Sequence, residues 1–131
     1  TALIQVKTTK GKSFPLGFTI DQCLDLDFLK ERVIGPWAFI AVDSENDTST
    51  FRCYVLTRNQ VIELAYKAHD WYKNMWKRDK DIKGTSVAAL NEVWLYGEIK
   101  KCEGTTPQHP AFVNPLKGAQ TKEAWENIWT E

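Results

Sequence analysis

What this chain has little of narrows its reading first. Its 131 residues include only three cysteines, two histidines and one methionine, and its formal charges cancel to zero. Cys23, Cys53 and Cys102 are odd in number and far apart, with no C-x-x-C pair. That argues against a disulfide framework and a thiolate zinc site, and favours a reducing compartment, read as the cytoplasm. No apolar run reaches the roughly 20 residues that cross a bilayer, and no signal peptide is recognisable, so no membrane partner is expected. His69 and His109 lie far apart without a partnering motif and read as core or surface histidines. A G-x-S-x-G elbow, a Walker loop, H-E-x-x-H and a dinucleotide fingerprint are all missing, which weighs against Ser–His hydrolases and cofactor-dependent enzymes.

The length fits one domain with one core. Zero net charge announces no nucleic-acid partner, but the charges are unevenly spread. Residues 1–20 carry Lys7, Lys10 and Lys12 and no acid; 21–50 hold seven acids against Lys30 and Arg32; 51–83 hold eight Lys/Arg against four acids. Two basic segments can share a face while the acids sit elsewhere.

The chemistry centres on Leu3-Ile4-Gln5-Val6-Lys7-Thr8-Thr9. The alternation predicts a strand with Ile4 and Val6 on one face and Gln5 and Lys7 on the other. An amide oxygen beside an ammonium can serve a cation and a phosphodiester, the amide holding the metal and the lysine meeting developing negative charge. The plainer reading is a half-buried strand whose outer face is Gln and Lys.

Beyond it, Thr8 to Gly17 reads as a turn or short hairpin. Thr19 or Asp21 caps a short helix that turns Cys23, Leu24, Phe28, Leu29 and Val33 inward and ends at Gly35-Pro36. Asp25 and Asp27 are expected to be solvated helix-face acids rather than a metal pair. The apolar run Trp37–Asp43 predicts a central strand covered on both faces, paired as a hairpin with Phe51–Leu56. Thr57-x-x-Gln60 predicts a capping box, and Val61, Leu64, Ala65, Ala68, Tyr72 and Met75 the buried stripe of the helix behind it. From Trp71 to Lys83, aromatics interleave with Lys73, Lys77, Arg78 and Lys80, a pattern that fits either a phosphate-backbone grip or a helix end with an inward Trp76. Val87–Gly97 reads as a helical turn followed by a strand, Glu103–Gly118 as an irregular loop, and the end as a helix capped at Thr121 burying Ala124, Trp125 and Ile128 or Trp129.

The strand Ile4-Gln5-Val6-Lys7-Thr8, a helix, the strand Trp37–Asp43, Tyr54-Val-Leu-Thr-Arg-Asn-Gln-Val61, His69-Asp70-Trp71 and the closing Trp125–Trp129 follow one another in an order that resembles the PD-(D/E)xK nuclease superfamily, more narrowly a bacterial group with a Q-x-K motif. The resemblance implies an α/β fold, a mixed central sheet flanked by helices, restriction-endonuclease-like with a partial core. The chain then reads as the C-terminal part of such a domain, truncated before the strand that carries the family's aspartate. It further implies a metal-dependent endonuclease acting on DNA, in defence against foreign DNA. Mg²⁺ (or Mn²⁺) would be held by Gln5, in place of the usual acid, and by the Val6 carbonyl, with Lys7 as the catalytic lysine. Thr8, Lys10, Lys12, Lys73, Lys77 and Arg78 are the candidate nucleic-acid contacts. The missing carboxylate would come from a partner segment or a homodimer. Two alternatives stand beside this: a catalytically inactive nuclease-fold module that binds nucleic acid or a protein, and an interaction subunit anchored by Trp71 and Trp76.

Overall fold

The computed structural model describes residues 3–45, 48–75, 83–96, 103–106 and 109–129. Strand β1 (Gln5–Thr9) lies parallel to β3 (Trp37–Glu45), which pairs antiparallel with β4 (Thr48–Leu56), giving the order β1-β3-β4. The hairpin and the central position of the Trp37 run are as expected. The outer edge of β4 takes up Thr121–Glu123, through Val55 N–H to the Thr121 carbonyl (2.9 Å) and Glu123 N–H to the Cys53 carbonyl (2.8 Å).

Between β1 and β3 the chain forms β2 (Ser13–Thr19) and two short helices, α1 (Ile20–Cys23) and α2 (Leu26–Arg32). The expected turn over Thr8–Gly17 is confined to residues 10–12. Phe14 and Leu16 alternate into the core, and β2 accommodates Pro15 and Gly17 where its pairing with β5 (Val87–Asn91) slips register. One helix was expected and two form. Thr19 caps α1 through a reciprocal capping box with Gln22. Asp25 then breaks the helix and caps α2, its carboxylate accepting from Asp27 N–H and Phe28 N–H. A short polar side chain that can bond the backbone ahead of it favours this cap over a continuous helix. Gly35 lets the chain turn into β3, since a Cβ there would lie 2.2 Å from the Leu3 carbonyl oxygen.

Helix α3 (Arg58–Met75) starts at the expected box, with Thr57 N–H donating to Gln60 Oε1 (2.9 Å) and Gln60 N–H to Thr57 Oγ1 (3.2 Å). Its stripe of Val61, Leu64, Ala65 and Ala68 is buried, while Glu63 and Lys67 pair on the exposed side at 2.9 Å. Arg58 reaches back to the end of α2, donating to the Val33 and Lys30 carbonyls at 2.6 Å each. These orphan carbonyls are thereby satisfied by a cation suited to a helix C-terminus.

The order over Val87–Gly97 is the reverse of expectation: β5 comes first and a helical turn, α4 (Glu92–Leu95), follows. The run Val93-Trp94-Leu95 is too short for periodicity to separate helix from strand. Where a loop was expected, β6 (Glu103–Thr106) and β7 (His109–Val113) pair antiparallel. The final element is a 3-10 helix, Trp125–Trp129, rather than an α-helix. Ala124 is buried and Ile128 packs on the sheet, but Trp125 and Trp129 are exposed. Thr121, instead of capping it, is buried and donates its hydroxyl to the Leu95 carbonyl.

The main core gathers Trp37, Phe39, Ala41, Tyr54 and Leu56 from one face of the sheet with Phe14 and Leu16 of β2, Leu29 of α2, Leu64 of α3 and Leu90 of β5. The opposite face buries a smaller cluster, Ala38, Cys53 and Val55, with Ile40 and Ile128 against it. Cys23 and Cys53 are buried free thiols, and burial pushes Cys23 up to about 12. Among the described residues no helix is long and apolar enough to cross a membrane. The molecule is mixed α/β, with small mixed sheets and flanking helices.

Candidate functional site

The alternation expected of β1 is present, but its faces are inverted relative to burial. Val6 is 51 % exposed and Ile4 40 %, whereas Lys7 is half-buried on the core side. The register explains this. Gln5, Lys7 and Thr9 stand beside Trp37, Phe39 and Ala41, which in turn stand beside Leu56, Tyr54 and Arg52. The large aromatics of β3 fix which face is the core, and β1, at the edge, must place its polar phase there.

Lys7 tolerates the position because its ends are separately accommodated. Its Nζ donates to the Leu16 carbonyl at 3.1 Å and lies 5.1 Å from the centre of the Trp37 ring. The ring face and the carbonyl oxygen both present negative potential to the ammonium, while the aliphatic stem packs along the strand. Gly17 completes the arrangement: at φ +82° it takes a left-handed conformation that a side chain would strain, 3.7 Å from Lys7 Nζ by its would-be Cβ. Gln5 lies on the same face, exposed. Thr8, expected among the nucleic-acid contacts, turns to the opposite face with Val6 by strand alternation, and is exposed there.

The resemblance requires a metal beside Gln5, and the donor set does not fit one. Gln5 offers a neutral amide oxygen and Val6 a peptide carbonyl. Among the described residues no group of three or more His, Cys, Asp or Glu side chains gathers to hold a cation. Mg²⁺ is held through one or two carboxylates together with waters and phosphates, and this pair supplies none.

A second polar constellation lies further along the same face, past the carboxyl end of β1 and beside Ala41 to Asp43 of β3. Arg52 donates through Nε to Glu92 Oε2 (2.6 Å) and through Nη2 to Glu92 Oε1 (3.0 Å), and its Nη1 meets Asp43. The Tyr54 hydroxyl also donates to Glu92 Oε2, at 2.6 Å. Glu92 is 4 % exposed, yet the Arg52 guanidinium, helped by Tyr54, holds its carboxyl below the usual carboxylate range. Burial and the same network raise the Tyr54 phenol above its ordinary value. Asp43, Arg52 and Glu92 border an open pocket of about 580 Å³, to which the β1–β2 turn contributes Lys10, Gly11 and Lys12. The sequence reading missed Arg52 and Glu92. The available signal was phase: Arg52 alternates with Tyr54 and Leu56, so an inward charge there demands a buried partner.

The expected basic surface is divided. Lys10 and Lys12 share the pocket rim. Lys73 instead pairs with Asp21 of α1 at 2.6 Å, so its charge is spent in tying α3 to α1. Trp71 meets Trp94 edge-on, packed against the main core rather than offered as an anchor. Trp76, Lys77, Arg78 and Lys80 lie outside the described residues. His69 is a core histidine: it is 4 % exposed, its Nδ1 lies 2.7 Å from the Ala65 carbonyl, and burial lowers its pKa.

No protein-family model matches this chain, and no curated protein or solved structure is found to be similar to it.

Proposed function

We propose that this chain is a restriction-endonuclease-like module that engages the phosphodiester backbone of DNA, and that cleavage depends on a carboxylate brought beside Gln5 by a partner segment or a second copy. The observation that carries this reading is the strand β1 itself. Gln5 and Lys7 share one face of a strand whose parallel neighbour β3 is reached through helices, and that strand runs directly into the Lys10-Gly11-Lys12 turn. Lysines on one strand and the turn that follows it suit phosphate contacts, which position a protein on nucleic acid without reading its sequence. Gln5 and Val6 lack the carboxylate that a metal needs, so Mg²⁺ or Mn²⁺ at the scissile phosphate would depend on the incoming carboxylate. The part assigned to this chain is to present the Lys7 ammonium, held against Leu16 and Trp37, toward that phosphate.

The neutral Gln5 and the engagement of Lys7 with a backbone carbonyl favour a second reading, a module that binds DNA and does not cut it. Plasmid nicking with Mg²⁺ or Mn²⁺, run beside a gel-shift titration for the wild type and Lys7→Ala, separates the two. Metal-dependent nicking lost in the variant supports the nuclease. Salt-sensitive binding without nicking by either protein supports the binding module. A wild type that neither binds nor nicks overturns both.

A further inference from the structure

The pocket at the end of β1 carries an inference that needs neither Gln5 nor Lys7, though it shares Lys10 and Lys12 with the backbone contacts proposed above. We propose that it is a binding site for a phosphoryl group, received by Lys10 and Lys12 with Asn91, and backed by Arg52.

The location is the first argument. Ligands of open α/β sheets settle in crevices outside the carboxyl ends of parallel strands; this pocket opens where β1 ends in the Lys10–Lys12 turn and runs beside Asp43 in the last third of β3. The second argument is how the charges are spent. Three cations and two carboxylates border the space, and both carboxylates are committed to the Arg52 guanidinium. Glu92 is the more fully used: one oxygen accepts from Arg52 and Tyr54 together, the other from Arg52 again. Lys10 and Lys12 have no counter-ion among the described residues, and the Asn91 side chain makes no capping bond to α4. Both acids are engaged by the one guanidinium, and the three cations against two carboxylates leave the lining one charge positive, with two ammonium groups and the Asn91 amide on its rim.

Preorganisation is the third. The turn that bears the lysines is pinned at both ends, by Gly11 N–H to Thr9 Oγ1 (3.1 Å) and by Glu92 N–H to the Lys12 carbonyl (2.8 Å). Arg52 is fixed bidentately by a buried carboxylate before any ligand arrives. A site whose donors are held in place loses less entropy on binding an anion than one that must assemble them. A cavity of about 580 Å³ exceeds the needs of a phosphate alone and leaves room for what it is attached to, with Val93 and Tyr96 on the wall.

The phosphoryl group can belong to a small phosphate compound or to a nucleic-acid strand, and one titration series distinguishes them. The full chain, labelled with ¹⁵N, is titrated with inorganic phosphate, a 5′-mononucleotide, and an oligonucleotide with and without a 5′-phosphate. The expected result is saturable movement of the Gly11 amide and Asn91 side-chain resonances, weakened at least tenfold in Lys10→Ala/Lys12→Ala. Binding should be kept in Lys10→Arg/Lys12→Arg and unaltered in Lys67→Ala, on the exposed side of α3. A preference for the mononucleotide supports the site with a small ligand, a preference for the phosphorylated oligonucleotide supports it with a strand end, and equal binding of both oligonucleotides supports it with internal phosphodiesters. Absence of saturation with every probe, or binding undiminished in the double alanine variant, overturns it. Phosphate binding that survives while plasmid binding and nicking are absent would sink the DNA reading and leave this site standing.

Discussion

The two faces of the β1-β3-β4 sheet are built from the same strands and do opposite things. The inner face sets Trp37 against Phe39 and Phe39 edge-on to Phe14, and then turns polar on its two edge strands, with Lys7 on β1 and Arg52 at the middle of β4. The outer face has a small buried patch at Ala38, Cys53 and Val55, and beyond it leaves Val6 and Phe51 in the open, Phe51 at 64 % exposure. The lesson is that hydrophobicity of a phase does not decide which way it points. Burial is set by the strand with the largest side chains, β3, and its neighbours follow its register even when this turns a lysine inward and a valine outward.

The sharpest contrast between the faces is at Phe39 and Phe51. Phe39→Ala, in a fully buried site, should lower stability by about 3–5 kcal/mol, whereas Phe51→Ala should stay within about 0.5 kcal/mol. Urea unfolding of the two variants measures the difference, and equal losses would mean that the outer face is also packed. Gly17→Ala comes next. Forcing a side chain into the left-handed region should lower stability by about 1–2 kcal/mol in the same assay. It should also disturb the Lys7–Leu16 contact, read as a shift of the Lys7 Nζ and Cε resonances.

Tyr54→Phe probes the polar margin. Removing the hydroxyl leaves Glu92 one partner short and should lower stability by about 1 kcal/mol. The smallest expected effect is in pH dependence. His69 has its pKa lowered by burial, so the unfolded chain binds a proton that the folded one resists. Stability should therefore be full above the ordinary imidazole value of 6.5 and decline as pH falls below it. Glu92, held below its ordinary 4.5, adds a second loss as pH falls beneath that value toward its folded pKa. Thermal unfolding across pH 5–7 checks the first effect, and His69→Phe should flatten the slope there.

Much of the scaffold was legible because its signals are local. The reciprocal bonds of Thr57 and Gln60, the stripe of α3 and the hairpin of β3 with β4 follow from spacing alone. The failures have physical causes. Pro15 and Gly17 look like punctuation, yet a register slip in β2 accommodates both while Phe14 and Leu16 keep their period of two. Val93-Trp94-Leu95 is apolar on every side in so few residues that helix and strand read alike. Half of the candidate site was visible: Gln5, Lys7, Lys10 and Lys12 sit within one strand and its turn. The other half was not, because Arg52 and Glu92 meet only through tertiary packing, and a pairing between distant residues leaves no spacing to read.

The central claim, that the basic end of β1 contacts a nucleic-acid backbone, is tested most directly by the salt dependence of DNA binding. Binding constants for a duplex would be measured across ionic strength for the wild type and for Lys10→Ala/Lys12→Ala. Each phosphate contact contributes about 0.9 to the slope of log K against log salt, so removing two lysines should reduce the slope by about 2. An unchanged slope, or no binding by the wild type at low salt, would contradict the account.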